Sequence, residues 1–176
     1  MSSPVGHALV GVGLAALSVP LLDVRPGPAL WVGAVIASGV PDLDFLGVLL
    51  GYPQDRVHRQ GTHALPVLGL VAGLTLWAAR ELVSWLDTRT VWAWALALLS
   101  HPFVDALTTT IEPARANVGI PLFWPFSTRR YYLPRPLARP PTLASYTSAS
   151  LLRDLLPELA LFGTTCLSLV LLGSLL

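Results

Sequence analysis

Residues 91–105 read VWAWALALLSHPFVD. Ten apolar or neutral residues lead into His101, and Asp105 follows four positions later. An uninterrupted apolar run of this kind fits a helix in an apolar surrounding. On a helix, positions four apart share one face, about one turn (~5.4 Å) apart. The stretch therefore joins a bilayer-type helix to a pair of metal-ligating side chains. An ionisable pair inside such a segment costs ~2.5–3.5 kcal/mol on insertion scales, which favours a functional role over an incidental one. The plainer alternative is a mutual His–Asp hydrogen bond.

Four further stretches approach the ~20 residues that span a bilayer. They are residues 5–22, carrying only His7; 29–50, interrupted by Asp42 and Asp44; 64–86, interrupted by Arg80 and Glu81; and 159–176. Hydrophobic residues make up 53% of the 176 and charged residues 12%, with a mean hydropathy of +0.64. A soluble all-helical core would lack the polar surface needed to solvate it. The expected fold is all-α: a multi-pass membrane helical bundle of about five helices, forming one domain over residues 1–176. The first stretch lacks a basic leader and carries His7, so it is expected to be retained rather than cleaved.

Arg supplies all 11 basic residues against 10 acids, so net charge is +1 and gives no general drive toward nucleic acid. The single Cys166 excludes an intrachain disulfide and a thiolate cluster. Short links at 23–28 and 87–90 separate helices. Residues 51–62 form a polar loop in which Thr62 is positioned to cap the next helix. The connection 108–152 holds seven prolines and cannot be one helix. Its aromatic segment 121–126 and Arg129-Arg130-Tyr131-Tyr132 suit the headgroup layer.

Five spans bring His7, Asp42, Asp44, His58, His63, His101 and Asp105 toward one membrane face. Arg56, Arg59, Arg115, Arg129, Arg130, Arg135, Arg139 and Arg153 fall on that face, so the positive-inside rule puts it in the cytoplasm. Imidazole and carboxylate together suit zinc and comparable divalent ions. Each cluster also has a simpler reading. Asp42 and Asp44, at i and i+2, point apart on a regular helix and could be capping groups. A distorted turn after Pro41 would let both approach one site. His58 and His63 could belong to a wet basic loop, and His7 alone could be a satisfied interfacial histidine. These simpler readings would all have to hold together.

The order His7, Pro41-Asp42-Leu43-Asp44, His58-Arg59-x-x-Thr62-His63, His101-x-x-x-Asp105 with Thr108-Thr109, and then Pro-Leu-Phe-Trp-Pro-Phe at 121–126, resembles the YdjM-like family. These are inner-membrane proteins described as metal-dependent hydrolases and thought distantly similar to zinc-dependent phospholipase C and related nucleases. The likeness covers roughly residues 5–130. It implies a zinc site of one to three ions (manganese is the alternative) that cleaves phosphoesters. His7, Asp42, Asp44, His63, His101 and Asp105 would be ligands. Asp42 or Asp44 would handle the proton of an activated water. His58 and Arg59 match the family's His-Arg pair, as ligand, support or phosphate contact. Ala64 stands where the family often carries Ser, and the ligands are fewer than a full three-zinc site needs.

The expected function is a membrane-bound hydrolase acting on an amphiphilic phosphate ester, with membrane lipids as partners. A non-catalytic ion carrier or scaffold, and a nuclease, are the rival expectations.

Overall fold

The computed structural model describes residues 2–83, 85–109, 119–138 and 150–176. Arg115, Arg139 and three of the seven prolines of the long connection lie outside them. Helix α1 (Pro4–Leu22) starts where Ser3 Oγ accepts the Gly6 amide at 3.2 Å, with Pro4 in the first turn. It stops at Asp23, whose φ of 53° is left-handed. Helix α2 (Pro28–Gly39) runs into a 3₁₀ segment, Val40–Asp44, and then α3 (Phe45–Leu49). The change of winding falls at Pro41, which has no N–H to continue the ladder. After the short α4 (Gln54–Val57) and a 3₁₀ turn, Gly61–His63, come α5 (Leu65–Leu82), α6 (Thr88–Thr108) and α7 (Leu151–Leu175).

Five helical stretches are long and apolar enough to cross a bilayer: Pro4–Leu22, Pro28–Leu49, Leu65–Leu82, Thr88–Thr108 and Leu151–Leu175. There is no strand among the described residues, only an isolated antiparallel bridge between Ile120 and Tyr131. The expected five-helix all-α bundle is thus the fold.

Helix α6 is the hub. It packs on α1, α2 and α5, while α1 also packs on α2 and α7. Small side chains allow the close approach: Ala15, Ala34, Ala93 and Ala97 form one buried cluster. Gly11 shows how close the backbones come, because a Cβ there would lie 2.9 Å from the Ala34 carbonyl oxygen. Without a hydrophobic drive between helices in lipid, such contacts supply the packing energy.

One expectation is corrected. Thr62 does not cap α5; Ala64 holds that position, and the Thr62 hydroxyl donates to Asp44 instead. The apolar stretch 159–176 is only the later part of its helix, which begins at Leu151 and so carries Pro157 and Glu158 inside it. Residues 119–138 form an irregular segment tied to the same end of the bundle. The Leu133 and Leu137 amides donate to the carbonyls of Ala106 and Leu107, and the Leu65 amide donates to Leu122. Phe123, Trp124, Phe126 and Tyr132 are exposed on it.

Candidate metal centre

Three elements converge at one end of the bundle. Helix α6 supplies His101 and Asp105, the 3₁₀ segment after α2 supplies Asp42, and the 3₁₀ turn before α5 supplies His63. His101 Nε2 lies 3.2 Å from His63 Nε2, and Asp42 Oδ1 lies 3.5 Å from each of them. Asp105 Oδ2 is 3.5 Å from His63 Nε2 and 3.9 Å from His101 Nε2. A tetrahedral zinc ion with bonds of about 2.0–2.1 Å needs ligand atoms about 3.3 Å apart. These separations fit that requirement.

The proton positions sharpen the fit. His101 Nδ1 is 2.6 Å from the Ser38 carbonyl oxygen and must donate to it. His63 Nδ1 faces Thr62 Oγ1 at 3.1 Å, whose own hydrogen goes to Asp44 Oδ2 at 2.6 Å. Both Nε2 atoms of the neutral rings therefore present lone pairs to each other. Asp42 Oδ1 and Asp105 Oδ2, aimed at the same point, are buried and have no hydrogen-bond partner among the described residues. Unpaired buried acceptors of this kind are costly, and a shared cation or proton resolves them. Burial pulls the His63 pKa down, but the carboxylates of Asp42, Asp44 and Asp105 outweigh it and raise it to about 9. Metal-free, the cluster thus carries a proton on His63 at neutral pH, where a divalent ion would replace it.

Asp44 has a different environment from Asp42. Its Oδ1 is 2.6 Å from His58 Nδ1, and its Oδ2 accepts from Thr62 and from the Arg59 amide at 3.1 Å. Asp44, His58 and His63 form a second set of atoms close enough to hold an ion, sharing His63 with the first. The 3₁₀ winding helps both carboxylates reach one histidine. It brings i and i+2 to about 120° apart, against about 160° on an α-helix.

His7 belongs to neither set. Its ring stacks on His101, with centroids 3.7 Å apart and 9° between planes. Its Nε2 lies 3.5 Å from Asp105 Oδ1, and neither ring nitrogen has a hydrogen-bond partner among the described residues. Asp105 Oδ1 also accepts the Ser2 amide at 3.0 Å.

Arg59 adopts a left-handed φ of 59°, a conformation costing about 1–3 kcal/mol in a non-glycine residue. Asp44 holds its amide, and Nη1 donates to Thr109 Oγ1 at 2.9 Å. This points the guanidinium at the cluster, with Nε 3.2 Å from Asp105 Oδ2. Nε and Nη2 are buried without a hydrogen-bond acceptor among the described residues. Arg130 braces this loop, donating to Arg59 O, Gly119 O and Gln60 Oε1. Partial burial, then the charge of Arg59, lowers the Arg130 pKa. Arg129 sits over the Tyr131 ring at 5.3 Å.

Sequence reasoning missed Glu158. Fully buried on α7, it accepts the Ser3 amide on both oxygens, at 2.9 and 3.0 Å. It meets the positive end of α1 and fixes the Ser2–Ser3 segment that contacts Asp105. Its signal was an acid lying within a bilayer-length apolar helix.

Bilayer-length helices closed around a buried His/Asp cluster define a polytopic membrane protein with a candidate divalent-cation site at one end. Residues 1–175 match the YdjM inner membrane protein family. The chain belongs to that family and is a protein of the inner membrane. No curated protein and no solved structure matches it.

Proposed function

We propose that the protein is a metal-dependent hydrolase of phosphoester bonds. The observation that carries this reading is the meeting of a ligand cluster and a guanidinium in one buried site. Four ligand atoms converge on one point, and beside them Arg59, ion-paired through Nε with Asp105, keeps Nη2 buried without an acceptor among the described residues. A cation-binding site next to a guanidinium with a free N–H edge is the arrangement a metal-bound phosphate ester would complete.

A bound zinc or manganese ion would supply Lewis acidity and hydroxide near neutral pH. His63, His101 and Asp105, all fully buried, would hold it. Ser38 and Thr62 orient the two imidazoles, and the Ser2 amide orients Asp105. Asp42 is the exposed member of the set, its side chain 19% accessible, and stands where it can take the proton of an attacking water. Arg59 Nε and Nη2 would bind phosphate oxygens and stabilise charge developing there. Asp44 and His58 hold the loop that aims Arg59. The Arg residues at this end support a cytoplasmic site by the positive-inside rule.

One observation favours a second reading. All four tetrahedral positions can be filled by protein atoms, the pattern of structural metal sites. The site would then bind an ion without turnover. The deciding experiment screens purified, metal-loaded protein against phosphomonoesters and phosphodiesters, alongside Asp42→Asn and Arg59→Lys variants. Cleavage abolished by chelation and cut in both variants supports the hydrolase. Failure on every ester class with metal bound overturns it in favour of ion binding alone.

A further inference from the structure

A cavity of about 280 Å³ lies between α2, α5 and α6, in the membrane-spanning part of the bundle. Helices α2 and α5 both pack on α6 or its flanks but barely touch each other, so the cavity opens sideways between them. Its rim residues Ile36, Val71 and Thr75 are exposed to the surroundings. Its floor is α6, along Val91, Trp94 and Leu98.

The same face of α6 continues into the metal cluster. Val91, Trp94, Leu98, His101 and Asp105 follow one another at steps of three and four residues, a single helical stripe that changes from apolar to ligating. Just after α2, the lining residue Val40 immediately precedes Pro41 and Asp42. From Val91 to His101 the stripe rises about 15 Å, at ~1.5 Å per residue.

The lining has no polar group to offer a ligand. Thr75 Oγ1 donates to the Val71 carbonyl at 2.8 Å, and Trp94 Nε1 donates to the Ala29 carbonyl at 3.1 Å. A sugar, nucleotide or peptide segment would lose its hydrogen bonds there, whereas a hydrocarbon chain loses none. We infer that this groove holds one hydrocarbon chain of a membrane lipid, with its phosphate headgroup at the His63–His101–Asp105 cluster beside Arg59. This rests on the phosphoester reading for the headgroup and narrows the substrate to phosphate-headed lipids.

The test uses full-length protein in phosphatidylethanolamine vesicles containing phosphatidic acid with a diazirine in one acyl chain. After irradiation, labelled peptides are mapped with and without excess unmodified phosphatidic acid. The expected result is competable labelling concentrated on residues 33–40, 71–75 and 91–98. Val71→Phe with Thr75→Phe fills the exposed mouth and should cut that labelling roughly tenfold or more through overpacking of the groove. Gly69→Phe, at an exposed α5 position with open space around it, should not change it.

Labelling spread evenly over the lipid-facing helices and not competed, or cross-links between two copies across the groove, overturns the inference. So does labelling that survives the double substitution in protein that keeps its metal. The assay reads chain binding without turnover. A protein that labels in the groove yet cleaves no ester loses the hydrolase reading and keeps this one.

Discussion

Asp105→Asn separates metal binding from scaffold support at a single atom pair. Asp105 Oδ1 accepts the Ser2 amide, and an asparagine oxygen keeps that bond. The Oδ2 atom, facing His63, His101 and Arg59, is replaced by an NH₂ that cannot ligate. A four-ligand zinc site is worth about 10–16 kcal/mol, so one ligand carries roughly 2.5–4 kcal/mol, a loss of about 100- to 1,000-fold in affinity. A second effect is independent of metal. Arg59, only 11% accessible and 3.2 Å from the lost oxygen, becomes a buried charge without its partner. Breaking such a pair costs about 3–5 kcal/mol of stability. Adding Arg59→Gln should recover much of the stability but none of the metal affinity. Chelator-competition titration reads the first effect, and thermal unfolding of metal-free protein in detergent reads the second. A single variant that keeps metal within a few-fold of the parent would refute the ligand assignment. Equal instability of single and double variants would refute the Arg59 pairing.

Three other outcomes follow from particular contacts. Because His63 holds a proton up to about pH 9, metal affinity should fall about tenfold per unit of acidification below that value and level off above it, measured as apparent Kd across pH. For the metal-free protein the sign is opposite: the raised His63 pKa adds stability that is complete below the ordinary value of 6.5 and is lost as pH rises through about 9. Glu158→Leu removes the acceptor of the Ser3 amide and should cost about 1.5–3 kcal/mol of stability and also weaken metal binding, whereas Glu158→Gln should restore most of both; unfolding and metal titration check this. Gly33→Val should destabilise by about 1–3 kcal/mol, because its Cβ would overlap the Trp94 ring, while Gly69→Ala should be neutral or stabilising; paired melting curves decide.

Most of the architecture was legible because bilayer-length apolar runs carry a strong signal. Helix number, the alternation that gathers the seven candidates at one end, and the same-face spacing of His101 and Asp105 all followed from it. The roles within the cluster did not. Asp42 and Asp44 have the same chemistry two residues apart, and only the 3₁₀ winding after Pro41 shows one orphaned and the other saturated by His58, Thr62 and Arg59. Thr62 resembled a helix cap because the pattern of a cap is local, whereas its actual partner is eighteen residues away. Glu158 was passed over because the apolar stretch begins one residue after it, at Leu159. The left-handed backbone of Arg59 leaves no mark in composition at all.

The central claim is that His63, His101 and Asp105, with Asp42 beside them, form a divalent-ion site. Its most direct test is elemental analysis joined to X-ray absorption on protein purified from membranes without chelator. The account predicts at least one zinc or manganese ion per chain, ligated by nitrogen and oxygen; for zinc the bonds would be about 2.0–2.1 Å with no sulfur. Protein that retains no divalent ion, or an ion whose shell contains the Cys166 sulfur, would contradict it.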